Sequence, residues 1–367
     1  MKYFKFAVPL QYPKNNLFTL KKLILIENRG ACESTSFLFI KNLRIGNEEL
    51  KLIICQNAKK KVILRKISKK IMKHSFKDWV VATRPWSFPA SSMPVIVTLA
   101  WLFAEDLLQH FWLGLLALVN IIFVHAAGNL WSDYHDYKRG VDNEHTFGVQ
   151  TLTSGQFKPE EIKRYSLSLQ AVAVVMGLLL VCLTGLPLLW IGIAGIALSL
   201  CYPPLKYAAL GDVLIALCYS FLPMIGTSFI GSGEIQWNVL WLAVPIGLIT
   251  IAILHSNNVR DIESDKAAGI HTFPILTGRQ AGAYIYSFEV LFPYLWLVIL
   301  CVCGILSWWA LLPLITIPLA VKQSKMILDY KKNGVASFAN LDELTAKLQM
   351  MFSLLLTVGL ILSKLIG

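Results

Sequence analysis

Residues 111–142 open with FWLGLLALVNIIFVHAAG (111–128) and continue, without a break, into Asn129-Leu-Trp-Ser-Asp133-Tyr-His-Asp136-Tyr-Lys138-Arg139-Gly-Val-Asp142. The first part is an apolar run long enough to cross a hydrocarbon layer. The second places three carboxylates where that run meets water. Charge beside hydrocarbon is costly, so an acidic cluster at a membrane helix end is a functional candidate. A second junction has the same character: after the apolar run 238–256 comes Asn257-Asn258-Val-Arg260-Asp261-Ile-Glu-Ser-Asp265-Lys266.

The rest of the chain fits this reading. Of the 367 residues, 56% are hydrophobic, and the mean hydropathy is +0.58, values that suit a polytopic membrane protein. Apolar runs predict an all-α bundle of about nine membrane helices near 88–104, 111–128, 166–185, 187–203, 212–231, 238–256, 281–303, 305–322 and 343–364. Prolines at 89, 94, 223, 245, 293, 313 and 318 are tolerated in such helices.

The net charge of +12 suggests nucleic-acid binding only until it is located. Residues 1–71 carry 16 Lys and Arg against four Glu, which accounts for the whole surplus, while 72–367 carry 18 of each sign. No nucleic-acid partner is expected. The extension 1–71 contains no apolar run of spanning length, and Met72 opens the membrane domain 72–367. The expectation is that Met72 is the working initiator and that 1–71 is disordered or an upstream reading artefact. The alternative is a basic arm on anionic lipid headgroups. The cysteines fall mostly in apolar runs and read as packing residues.

The connecting segments alternate in charge. One class holds Lys73, Lys77 and Arg84, then Lys138 to Arg164, Lys206, Arg260 to Arg279, and Lys322 to Lys332. The other holds Glu105, Asp106 and Glu234 and no Lys or Arg. The positive-inside rule puts the first class, and both acidic motifs with it, in the cytoplasm.

On continuous helices, Asn129, Asp133 and Asp136 share one face, and so do Asn257, Asp261 and Asp265. Hard oxygen donors of this kind suit Mg2+, which completes its shell with water and phosphate oxygens. Lys138, Arg139, Arg260 and Lys266 lie within a turn and are candidates for phosphate oxygens. The pattern points to divalent metal and a phosphorylated ligand.

The motifs resemble those of the UbiA-type intramembrane prenyltransferases, most nearly the branch acting on 1,4-dihydroxy-2-naphthoate in menaquinone synthesis. The likeness runs from Phe76 to the C-terminus. It includes Ala82-Thr-Arg84-Pro-Trp-Ser-Phe-Pro89, the 129–142 motif, Tyr202-Pro-Pro-Leu-Lys206 with Leu210-Gly-Asp212, and the Asn-Asn-x-Arg-Asp form at 257–261. It implies a nine-helix bundle around a cavity open to the cytoplasm. It also implies Mg2+ held by Asp133, Asp136, Asp142, Asp261 and Asp265, with Asp133, Asp136, Asp261 and Asp265 as the catalytic set. Asn129, Lys138, Arg139, Asn257, Asn258, Arg260, Lys266, Tyr202, Lys206 and Arg84 would contact substrate. The implied reaction moves a polyprenyl chain from its diphosphate to an aromatic acceptor, with loss of CO2 when that acceptor is the naphthoate. The implied setting is the bilayer of a bacterial cell membrane. Another acceptor, such as 4-hydroxybenzoate, is the alternative within the class. Departures include Ser132 where Asn is frequent, His271 for Lys, Gln150 for Arg, and Tyr207-Ala-Ala without a basic residue.

Two other classes use membrane acids. CDP-alcohol phosphotransferases have an Asp-Gly…Ala-Arg motif that is absent here. Ion-coupled transporters place acids near the midplane of broken helices, whereas these acids lie at helix ends.

Overall fold

The computed structural model describes residues 38–45, 48–55, 74–141 and 151–366. The chain divides into two units at Ser75. In the first unit, Leu38–Ile45 and Glu48–Cys55 pair antiparallel, with Leu38 opposite Cys55. The sequence reading assigned no strand there.

The second unit is helical throughout its described regular elements. It begins with the short helix Phe76–Ala82, started by a capping box: the Ser75 Oγ accepts from the Asp78 amide at 3.2 Å, and Asp78 Oδ2 accepts from the Ser75 amide at 2.8 Å. Among the described residues nine helices are long and apolar enough to cross a membrane, and the protein is an integral membrane protein of the expected class. In order they are Pro85–Ala104, Phe111–Arg139, Pro159–Thr184, Leu186–Lys206, Gly211–Ser232, Trp237–Arg260, Arg279–Val302, Trp308–Leu328 and Val335–Ile366.

Three of these depart from a plain helix, each for a stated reason. The second span runs beyond its apolar part and ends only at Gly140, whose left-handed φ of 75° closes it. The first motif up to Arg139 therefore lies within one helix. The fifth span widens into a π-type turn over Leu217–Phe221, immediately before Pro223, which has no N–H for the regular ladder. The eighth opens with a 3-10 segment, Trp308–Thr316, that contains Pro313. There Gly359 of the ninth span lies so close to the Trp309 carbonyl that a Cβ would collide with backbone. Small residues permit such approach between membrane helices.

Neighbours along the chain pair as hairpins, the second span with the third and the sixth with the seventh, and the ninth span packs along the first, the sixth and the eighth. The continuous core joins residues of the first span and of spans five to nine, with Tyr286, Phe338 and Phe352 fully buried in it. The third and fourth spans show only 11% of their apolar windows buried, against 67% for the first and 61% for the sixth. Their outer faces, with Val175, Leu183 and Trp190 exposed, are the faces a bilayer would cover. Between them and the core lies the space that holds the site.

Candidate active site

An elongated cavity of about 1110 Å³ runs through the second unit. One end is lined by Arg84, Asp136, Lys206, Asn257, Asp261 and Asp265; the other by Ala117, Leu178, Leu188, Ile191 and Ile230. The polar end gathers residues from four separate stretches of sequence.

The first motif forms two ion pairs. Arg84 pairs with Asp133, which is buried. Arg84 sits in a left-handed conformation, φ 56°, sparsely populated by residues with a side chain, at the turn that leads into the first span. Asn129 holds this turn, since its Nδ2 donates to the Thr83 carbonyl at 2.9 Å and to Ser87 Oγ at 3.0 Å. Asp136, one turn on, accepts three bonds: from Tyr207 Oη at 2.6 Å on Oδ1, and on Oδ2 from Lys206 Nζ at 3.2 Å and Ser132 Oγ at 3.1 Å. Burial first, then the bond to Asp136, raises the Tyr207 phenol above its ordinary range, so it stays a donor at neutral pH.

The second motif bends where the first does not. The sixth span ends at Arg260, and Ile262–Ala267 forms a separate short helix. The four-residue ladder nevertheless continues, from the Asp261 amide to the Asn257 carbonyl at 2.8 Å and from the Asp265 amide to the Asp261 carbonyl at 2.9 Å. The three side chains keep to one face and all line the cavity. Arg260 grips Asp261 bidentately, through Nε at 2.8 Å and Nη2 at 2.7 Å, and donates through Nη1 to the Ala339 carbonyl at 2.7 Å. Its Nη1 is also 3.6 Å from Asp342 of the ninth span. Asp265 is buried, and burial, together with the charges on Asp261 and Asp136, pushes its carboxyl up to about 7 against the pull of Lys206.

Two further side chains fix this helix end. His255 Nδ1 lies 3.1 Å from Asp212 Oδ2, and its Nε2 lies 3.1 Å from the Gly282 carbonyl, which ties the sixth span to the fifth and seventh. Arg279 donates to Glu263 at 2.9 Å, and that contact holds the Glu263 carboxyl below its ordinary range.

The structure sorts the sequence candidates. Arg84, Asn129, Asp136, Tyr202 and Lys206 line the cavity, as do Asn257, Asn258, Arg260, Asp261 and Asp265. Asp133 lies behind Arg84 rather than on the lining. Lys138, Arg139 and Lys266 are exposed and lie off the lining; the Arg139 guanidinium sits 4.6 Å from the centre of the Tyr207 ring. Asp142, with Gln150, falls outside the described residues. Sequence reasoning missed Tyr207, which it noted only as a departure, and three residues of the ninth span, Asp342, Glu343 and Lys347, that line the same cavity. The polar start of an otherwise apolar span was the one available signal for the latter.

The donors suit a hard cation. Asn257 Oδ1 is buried with no hydrogen-bond partner, and it faces the same cavity as the Asp261 and Asp265 carboxylates. Among the described residues no three acidic, imidazole or thiol side chains cluster closely enough to cage a metal alone. An ion here would draw the rest of its shell from water and ligand oxygens, the usual habit of Mg2+.

The chain belongs to the UbiA prenyltransferase family, whose pattern matches residues 92–344. It is 33% identical over 291 residues to UbiA prenyltransferase domain-containing protein 1 of Danio rerio, covering 78% of this chain and 84% of that protein. It is 28% identical over 291 residues to 1,4-dihydroxy-2-naphthoate octaprenyltransferase of Bacillus subtilis (strain 168), covering 77% and 91%. Its fold is similar to the apo structure of a UbiA homolog from Aeropyrum pernix K1, with a TM-score of 0.56 at 16% identity, over 76% of this chain and 98% of that one.

Proposed function

We propose that the protein transfers a polyprenyl group from polyprenyl diphosphate to an aromatic or lipid acceptor, with Mg2+, at the polar end of the cavity. One observation carries this reading: a polar end with carboxylates and cations already paired opens into a long apolar channel. That shape suits a molecule with a polyanionic head and a hydrocarbon tail. Asn257, Asp261 and Asp265 on one side, and Asp136 on the other, are the groups that would hold Mg2+. Bound there, it would neutralise the diphosphate and assist its departure.

The chain's own residues have distinct tasks. Arg84, Lys206 and Arg260 each neutralise a carboxylate and lie in reach of diphosphate oxygens. As the allylic C–O bond breaks, the electron pair leaves with the diphosphate, and preorganised cations are what stabilise that developing charge. The allylic carbon then bonds to a nucleophilic atom of the acceptor, which loses a proton, or CO2 where the attacked ring carbon bears a carboxylate. The apolar channel excludes water from the cation.

Among acceptors, 1,4-dihydroxy-2-naphthoate is supported by the Bacillus subtilis relative and by the Asn-Asn-x-Arg-Asp form of the second motif. The charge alternation supports a cytoplasm-facing site. For the membrane itself, the Danio rerio relative, at higher identity than the bacterial one, favours a eukaryotic membrane over the bacterial cell membrane expected from the sequence. Every described residue of the site lies beyond Ser75, so the chemistry is assigned to the membrane unit.

The experiment is prenyl transfer by the full chain in membranes, with polyprenyl diphosphate, Mg2+ and a panel holding the dihydroxynaphthoate, 4-hydroxybenzoate and a neutral naphthoquinol. EDTA-sensitive release of diphosphate together with a prenylated product supports the reading. Diphosphate left intact with every acceptor would sink it.

A further inference from the structure

Among the described residues, four cationic side chains line the cavity, and three of them have carboxylate partners. Arg84 pairs with Asp133, Lys206 with Asp136, and Arg260 with Asp261 and Asp342. The fourth, Lys347, lines the same cavity, and among the described residues no carboxylate lies within ion-pair distance of it. It comes from the second turn of the ninth-span helix Leu341–Ile366, one turn beyond Glu343. The two therefore share a helical face, and both are exposed.

Trp86 lines the same cavity. It belongs to the turn Pro85–Ser87, which packs against the ninth-span helix, and 45% of its surface is exposed. An indole this open at a cavity wall offers an aromatic ring a partner to stack upon. Trp86 neighbours Arg84 in sequence, so the ledge adjoins the polar end without being part of either acidic motif.

We propose that Trp86, Glu343 and Lys347 form the acceptor subsite, and that Lys347 selects an aromatic acceptor bearing a carboxylate. The inference rests on the prenyltransfer reading and deepens it. The three paired cations serve the charge of the diphosphate head, so a second anion in the same cavity needs a cation of its own. Lys347 is that cation. The ring stacks on Trp86, the carboxylate accepts from the Lys347 ammonium, and a phenolic hydroxyl donates to Glu343 one turn away. A neutral acceptor gains only the stacking and the hydroxyl contact.

The test is binding, which does not require turnover. Full-length protein in phosphatidylcholine nanodiscs is titrated with 1-hydroxy-2-naphthoate and with its neutral counterpart 1-naphthol, read by quenching of tryptophan fluorescence. A hydrogen bond to a charged group contributes about 1.5–3 kcal/mol, so the wild type should favour the carboxylated probe by about tenfold or more. K347Q should bring the two probes within about threefold of each other, and K347R should restore the preference. Gel filtration of each variant shows that the fold is intact. Equal binding of the two probes by the wild type, or an undiminished preference in K347Q, overturns the proposal. So does loss of the preference when phosphatidylglycerol is added to the disc, because Lys347 would then serve lipid headgroups. Failure of Mg2+-dependent prenyl transfer with the preference intact would instead overturn the assigned reaction and leave the anion subsite standing.

Discussion

Tyr207 closes over Asp136, its hydroxyl donating to Oδ1 at 2.6 Å while Lys206 holds Oδ2. The pair joins the end of the second span to the turn after the fourth, 71 residues apart in sequence. Asp136 thus reaches the cavity with its orientation already set. Groups that orient a metal-binding carboxylate in this way typically affect metal affinity by about 10–100-fold. Y207F should therefore raise the Mg2+ concentration for half-maximal activity by about tenfold or more, with the folded protein recovered in normal yield. A Mg2+ titration of prenyl transfer decides it, and an unchanged half-saturation point would mean that Tyr207 only packs.

The carboxylates themselves should behave differently from their supports. D261A removes a cavity carboxylate and leaves Arg260 without its bidentate partner, and D133A strips Arg84 of its counter-ion. Loss of preorganised charge at a reacting centre costs about 10²–10³ in rate, and loss of a metal ligand adds to that. Both variants should insert into membranes normally and show no measurable turnover. Activity retained within a few-fold in either would refute its place in the metal and diphosphate machinery.

Asp265 gives the site a pH dependence. Burial pushes its carboxyl up to about 7, and Mg2+ bound there would require the ionised form, so proton and metal would compete. Below that pH the Mg2+ concentration for half-maximal activity should rise by up to about tenfold per pH unit; above it the requirement should level off. The stability effect has the opposite sense. A folded pKa raised above the usual carboxylate value means that the fold favours the protonated form. The metal-free protein should therefore lose stability as pH climbs from about 4 to about 7, and added Mg2+ should restore it. Thermal unfolding in detergent at several pH values, with and without Mg2+, checks both signs; a metal-free melting temperature that rises over that range would contradict the assignment.

The spans were legible because hydrocarbon imposes length and composition on any helix that crosses it, and the motifs because charge at a helix end stands out against that background. Convergence was harder to read. Asn129, Asp133 and Asp136 share a face through simple helical periodicity, yet the same periodicity rotates Lys138 and Arg139 away from it. Closeness in sequence suggested phosphate ligands at positions the helix turns outward. Arg84, 49 residues from Asp133, and Tyr207 gain their partners only when distant spans pack. Lys347 and Glu343 follow no motif spacing. Their place at the cavity comes from the ninth span lying along the first, and no local pattern announces that.

One face of the fourth span runs the length of the cavity: Leu188, Gly192, Gly195, Ser199, Tyr202 and Lys206, at alternating steps of four and three, all line it. Lys206 marks the polar end. At about 1.5 Å per helical residue, Gly195 lies about 16 Å and Gly192 about 21 Å further along. A Cβ at either glycine would meet nothing within 4 Å, so both positions leave open channel where a side chain could stand. G195L should therefore obstruct the path of a long prenyl tail while leaving room for a short one. Leucine is the better helix former by about 1 kcal/mol, so a loss of activity would not come from a weakened helix. With geranyl diphosphate the variant should stay within about twofold of wild type, and with octaprenyl diphosphate it should fall by about tenfold or more, the cost of 1.4 kcal/mol or so in binding the blocked tail. Competition between the two donors in one reaction reads the ratio directly. If both donors fall together, the tail does not follow this face of the fourth span.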